Sequence, residues 1–266
     1  MSTDPAEPRL SATALLVRDR DEMQVLMVER HYQIDFAAGA LVFPGGKSSD
    51  DDALAGWRLR VDGVFDERQT IARIAAVREV FEESGVLLAR SEAARGEGQP
   101  LVGADMVERL AAMRSAVDKG EQSFLELFVQ HKLVAALDTL VHFGHWITPD
   151  MMPKRFDTHF YIAKMPSGQV ARADGRETTD ARWLAPKAAL ALNEAGKATI
   201  IFPTRMNLDK LARAKSCDDA ITRFSGAPVM TVLPKVSKTD KGEPCLLIPA
   251  EADYCQTVEL LSQLKV

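Results

Sequence analysis

The chain reads as an α/β protein, on three observations. Short β-rich apolar runs recur at residues 12–17, 23–29, 41–43, 141–147, 156–163 and 182–184. Between and after them lie stretches with apolar residues three and four apart, the helical period, rather than the period of two that marks strands. No internal repeat or low-complexity linker divides the 266 residues, so they read as one domain with decorations.

Taken in order, runs 12–17 and 23–29 flank the polar turn Arg18-Asp19-Arg20-Asp21 and predict a hairpin. Run 41–43 continues into Pro44-Gly45-Gly46, a strand ending in a loop whose glycines allow close backbone approach. An acidic patch follows at 48–51, and 57–65 reads as a surface excursion. Asp66, with Gln69 three residues on, is the N-cap of a capping box. The helix it starts should run to Ser84 and stop at Gly85. Ile71, Ile74, Val77 and Phe81 give that helix a core stripe distinct from its acidic face. Residues 104–140 are read as helical throughout, Met106, Leu110, Met113 and Val117 in one segment, Phe124 to Leu140 in the next, punctuated by Gly120. Helices are expected at 186–194, with proline in the first turn, and at 203–214 and 218–224. Residues 229–233 and 245–248 are expected to close the chain as a hairpin around a polar turn at 238–242.

The bulk properties exclude several classes. A net charge of −5 and a pI near 5.6 lack the basic face of a nucleic-acid scaffold. An anionic substrate would have to be met locally, by metal and a few cations. Cys217, Cys245 and Cys255 are odd in number and form no C-x-x-C pair, which fits a reducing compartment and no zinc site. No run approaches the roughly 18 apolar residues of a membrane helix, and the first eight residues are polar and acidic rather than a signal peptide. A cytoplasmic location without membrane or nucleic-acid partners is expected.

The chemistry concentrates in Arg78-Glu79-Val80-Phe81-Glu82-Glu83-Ser84-Gly85-Val86. Glu79, Glu82 and Glu83 stand at i, i+3 and i+4 and share a helix face, where like charges cost roughly 0.2–0.5 kcal/mol per pair. A cation reverses that sign, and clustered carboxylates suit a hard ion such as Mg2+, which takes oxygen ligands and shares them with substrate phosphates. A Glu-Glu pair alone is usually a solvated face. Arg78, Gly85 and the upstream Pro44-Gly45-Gly46 turn the reading towards a metal site.

This run resembles the second half of the Nudix hydrolase box, G-x5-E-x7-R-E-U-x-E-E-x-G-U. Counting back from Arg78 puts Val64 at the box glycine and Thr70 at its first glutamate, so the first half is missing or displaced. Val42-Phe43-Pro44-Gly45-Gly46-Lys47 is similar to the lead-in that precedes the box. The long insert after it, followed by the run from Ala76 to Leu88, resembles the peroxisomal coenzyme A diphosphatase branch of the superfamily. His145-Trp146-Ile147-Thr148-Pro149, Arg155-Phe156-Asp157-Thr158-His159-Phe160, and Glu177 with Trp183-Leu184 and Pro186 extend the likeness.

The resemblance implies a Nudix fold, an α/β/α sandwich around a mixed sheet. Its domain would span residues 10–195, with the helical insertion at about 104–140, and a C-terminal elaboration at 196–266 would pack on it. It implies metal ligands Glu79, Glu82, Glu83 and the carbonyl of Gly46, holding Mg2+ or Mn2+, and no organic cofactor. Catalytic roles would fall to Glu82, Glu83, Arg78 as orienter of the glutamates, and Glu177 as a loop base, although an exposed loop glutamate is commoner. His31, His142, His145 and His159 are read as structural. Arg30, Lys47, Lys154 and Arg155 are candidate phosphate contacts, Arg155 for a 3′-phosphate, with solvated surface as the default. The insertion reads as a packing appendage, with a substrate lid as the alternative; with residues 48–65 it could wall a cleft. The implied reaction cleaves coenzyme A or an acyl derivative to 3′,5′-ADP and (acyl-)4′-phosphopantetheine. ADP-ribose or NADH, or a silent nucleotide sensor, are the alternatives, and a homodimer is compatible. Members of that branch end in an S-K-L-type address, whereas this chain ends Leu264-Lys265-Val266.

Overall fold

β1 (Arg9–Asp19) shows why the molecule has layers. Its alternate residues enter two different cores: Ala12, Ala14 and Leu16 face one, Leu15 and Val17 the other. In this computed structural model, which describes residues 6–32 and 38–264, a sheet of eight strands separates those cores. β2 (Met23–Arg30), β3 (Leu41–Val42) and β4 (Gly45–Lys47) follow β1, with β4 returning antiparallel along it. β5 (Ala89–Ser91) and β6 (Leu133–Ala135) form a separate ribbon. β7 (Val141–Ile147), β8 (Phe156–Lys164) and β9 (Thr178–Leu184) complete most of the sheet. β8 lies parallel to β1, and β9 antiparallel to β2.

α1 (Glu67–Ser84), α2 (Ala104–Asp118) and α3 (Phe124–Gln130) cover one face; α4 (Pro186–Glu194), α5 (Phe202–Leu211) and α6 (Cys217–Phe224) cover the other. The fold is the expected α/β/α sandwich around a mixed sheet. The local signals of α1 hold: Asp66 Oδ1 accepts the Gln69 N–H at 2.8 Å, and Gly85 ends the helix at φ 71°. No described helix is long and apolar enough to cross a membrane. The cysteines are unpaired, Cys217 and Cys245 buried and Cys255 exposed.

Four expectations are corrected. Residues 57–65 are not simply a surface excursion, because Trp57 is buried against Phe124 and Phe128, at ring distances of 5.7 and 5.1 Å. The second insertion helix stops at Gln130; Leu133–Ala135 is extended because it pairs with β5. Residues 231–232 form β10 (Thr231–Val232), which joins the main sheet parallel to β7 instead of entering a hairpin. The hairpin is made by β11 (Lys235–Lys238) and β12 (Pro244–Leu247), with β13 (Val258–Leu260) as its third strand. Finally, Arg155 is no substrate cation: it is buried and spends its guanidinium on the carbonyls of Thr148 and Ala6 and on Asp150. Lys265 and Val266, on which the terminal address was read, lie outside the described residues, as do residues 1–5 of the N-terminal stretch.

Candidate active site

α1 carries the acidic residues into the protein rather than into solvent. Glu79, Glu82 and Glu83 are all buried, Glu83 with 2% of its surface exposed. Three carboxylates face one guanidinium there. Arg78 Nε and Nη2 each reach Asp52 at 2.9 Å, Nη1 reaches Glu79 at 2.9 Å and Glu82 at 2.8 Å, and Nη2 also reaches the Lys47 carbonyl at 2.9 Å. Those contacts use every N–H that a guanidinium has. Lysine could not reproduce the planar fork.

Asp52 was not singled out from the sequence, yet it is Arg78's two-pronged partner and only 1% exposed. It sits in a 3₁₀ turn, Asp51–Ala53, within the acidic stretch that follows Gly46. Thr70, where the box would have its first glutamate, instead bonds the Asp66 carbonyl at the start of α1. The signal for Asp52 was that vacancy: an arginine in the box pattern needs a carboxylate from elsewhere.

The glycine pair of β4 closes on the helix. Gly45 N–H donates to Glu83 Oε2 at 2.9 Å. A Cβ on Gly46 would lie 2.6 Å from the Glu79 carboxylate, and one on Gly45 would meet Thr13 and the Ala12 backbone at 2.4–2.6 Å, so both positions exclude a side chain. The Gly46 carbonyl accepts the Ser11 hydroxyl at 2.6 Å. Glu177 stands half-exposed on the rim of the cleft beside Arg176, close enough for its charge to disfavour ionisation of Glu79 and Glu83. Arg30 and Lys47 line the same cleft, and Arg30 Nε is buried without a hydrogen-bond partner. The cleft holds about 820 Å³. Of the insertion, only Asp118 reaches its lining, so the helices of 104–140 do not wall it.

Burial raises the proton affinity of all three glutamates, and neighbouring carboxylates add to it, Asp52 and Glu177 for Glu79 and Glu79 for Glu82 and Glu83. Glu82 is pushed up to about 8, although Arg78 opposes the shift. Burial alone would lower Arg78, but Glu79, Asp52 and Glu82 together raise it. An all-oxygen donor set that prefers to hold protons when nothing else neutralises it fits a hard divalent cation. The consequence for stability has a definite sign. A carboxyl whose folded pKa lies above its unfolded value near 4.5 leaves the folded state holding more protons. Stability of the metal-free protein should therefore decline between about pH 4.5 and 8. A divalent metal, which binds the ionised form, should raise the melting temperature more at pH 8 than at pH 6; equal shifts by scanning fluorimetry would remove these residues from the metal site.

The histidines form a group that single-residue reading did not foresee. His145 and Asp157 are in contact, His145 and His159 stack at 4.1 Å with planes 10° apart, and His142 meets His159 at 3.1 Å. Burial, with the neighbouring positive groups, lowers His142 to about 4 and His159 to about 3. Parallel rings cannot both aim an in-plane lone pair at one ion, and Arg68 already neutralises Asp157. The cluster spans the paired strands β7 and β8, with ligand atoms of His145, Asp157 and His159 within 4.8 Å of one another.

The sequence model of the NUDT19 Nudix domain matches residues 66–211. A Caenorhabditis elegans protein named as a nudix hydrolase is 29% identical over 208 residues, 78% of this chain and 62% of that one. The acyl-coenzyme A diphosphatase NUDT19 of Xenopus laevis is 25% identical over 228 residues, 71% of this chain and 60% of that one. The matches thus span about three-fifths of the length of these relatives. The crystal structure of a NUDIX hydrolase from Alicyclobacillus acidocaldarius superposes with a TM-score of 0.71 at 24% identity, covering 84% of this chain and 99% of that one. With the Arg78-to-Glu83 run buried beside Gly45-Gly46 and the family match covering more than half its length, the chain belongs to the NUDT19 Nudix domain family.

Proposed function

We propose that the protein is a Mg2+-dependent diphosphatase, with Mn2+ as the alternative ion, acting on coenzyme A or its acyl thioesters. The observation that carries this reading is the buried cluster of Glu79, Glu82 and Asp52 around Arg78, with Glu83 buried next to it on the same helix; Glu79 and Glu82 open onto a cleft that also holds Arg30 and Lys47. Residues 10–195 and the elaboration at 196–266 act as one domain in it, and a cytoplasmic location and a small-molecule partner go with it.

Glu79, Glu82 and Glu83 would hold the metal, with Gly46 closing the site. When bound, the metal neutralises the diphosphate, polarises phosphorus and lowers the pKa of a bound water. The chain supplies the rest. Arg78 holds Glu79 and Glu82 in register, Gly45 N–H fixes Glu83, and Arg30 and Lys47 meet phosphate oxygens. Glu82 and Glu177, both lining the cleft, are the carboxylates to which a water proton can pass. Glu83, enclosed beneath them, positions rather than accepts. The water oxygen bonds to one phosphorus as the bridging P–O bond breaks, and the products are 3′,5′-ADP and 4′-phosphopantetheine.

The relatives named acyl-coenzyme A diphosphatase support this choice of substrate. A substrate panel tests it. Coenzyme A should show a higher kcat/KM than dephospho-coenzyme A, ADP-ribose or NADH, and chelation should abolish turnover. Faster cleavage of ADP-ribose or NADH would reassign the substrate; no cleavage of any with Mg2+ or Mn2+ would make the protein a nucleotide-binding module.

A further inference from the structure

The cleft continues well past the glutamates. Its floor crosses the sheet in straight rows: Lys47 of β4 pairs with Ser11 of β1, Ser11 with Thr158 of β8, and Thr158 with Trp146 of β7. The next row runs Gly45, Thr13, Phe160. Every residue of both rows lines the cleft. Three strand spacings, roughly 14 Å in all, separate β4 from β7. Polarity changes along that path. The near end holds Arg78, Glu79 and Glu82, with Ile201 packed beside Val42 of β3; beyond them Phe202 meets Trp146 at 5.6 Å, and Phe160, Leu246 and Leu264 also line the cleft. Phe202, Leu246 and Leu264 belong to the C-terminal elaboration.

A cavity charged at one end and apolar at the other fits a ligand of the same character. The phosphopantetheine arm has about four peptide residues' worth of backbone between phosphate and sulfur, roughly 14 Å extended. Its thiol would therefore arrive where the apolar walls begin. We propose that the C-terminal elaboration forms an acyl-chain subsite, in which Phe202, Leu246 and Leu264 determine which thioester chains are accepted. This rests on the diphosphatase reading above.

The test measures kcat/KM for coenzyme A and its acetyl, hexanoyl and dodecanoyl thioesters. The dissociation constants of the same four are measured by calorimetry on Glu82→Gln protein. Preference should rise with chain length, by up to about fourfold per methylene buried. Two variants make the wall polar. Phe202→Asn removes a ring that meets Trp146 at 5.6 Å. Leu264→Asn acts from the opposite end of the segment, at a partly exposed position. Each should lower the dodecanoyl-to-coenzyme A ratio at least about tenfold, with the melting temperature of Leu264→Asn near that of wild type. A flat chain-length profile in the wild type, or ratios unchanged in both variants, overturns the subsite even if coenzyme A is cleaved. If nothing is cleaved but binding still tightens with chain length and Leu264→Asn abolishes that trend, the subsite stands and the diphosphatase reading falls; a flat binding profile overturns the subsite.

Discussion

Glu82→Gln and Glu83→Gln should each lower kcat/KM by at least about a hundredfold, the low end of what acid–base and metal roles supply, without loss of the fold. Glutamine keeps the length and nearly the volume of glutamate. Its amide oxygen can still accept from Arg78 or from Gly45 N–H, so local packing has a partner at both positions. What disappears is a negative charge. In the metal-free protein that charge is a burden, because burial and the neighbouring carboxylates both favour its protonated form. The variants should therefore melt at the same temperature or higher without metal at pH 8, and gain less than wild type when Mg2+ is added. Activity down and metal-free stability level or up is a pairing that a purely structural role would not give. Near-normal turnover in both, with circular dichroism unchanged, would sink the site assignment.

What could be read in advance follows from how local each feature is. α1 was legible because its determinants lie inside it: Asp66 and Gln69 at the start, Gly85 at the end, and apolar residues at helical spacing between. β1, β2, β7 and β8 were legible from apolar runs, whereas Gly45–Lys47, read as a loop, is β4 because it pairs with β1. β6 was not legible either, since Leu133 and Leu137 continue a helical spacing by coincidence and only pairing with β5 makes that stretch extended. β10 was misassigned for the same reason, its partner β7 lying more than eighty residues away. In the site, the identities of Arg78, Glu79, Glu82 and Glu83 were visible but their burial was not, because it depends on β4 folding back over α1. The acidic face borders a cleft through Glu79 and Glu82, with Glu83 buried. The apolar far end of that cleft was invisible for the same reason, since its walls come from β7, β8 and a segment beginning some forty residues after them.

Asp52 carries the second large effect. It is nearly fully enclosed and meets Arg78 through both oxygens. Asp52→Ala leaves two of Arg78's N–H contacts unmatched in a buried setting, and breaking a buried pair from one side costs about 3–5 kcal/mol. The loss should also reach the chemistry, because an arginine without its anchor no longer holds Glu79 and Glu82 in one geometry; supporting residues around metal ligands are worth about 10–100-fold in metal affinity or activity. Arg78→Lys approaches the same linkage from the other side. The charge is retained, but one ammonium cannot serve Asp52, Glu79, Glu82 and the Lys47 carbonyl at once. Both variants should weaken metal binding by calorimetry and lower kcat/KM by at least about tenfold, and Asp52→Asn, which keeps one acceptor, should fall between Asp52→Ala and wild type. Wild-type metal affinity and kinetics in Arg78→Lys and Asp52→Asn, alongside a lowered melting temperature, would reduce the pair to packing and leave the glutamates to hold the metal unaided.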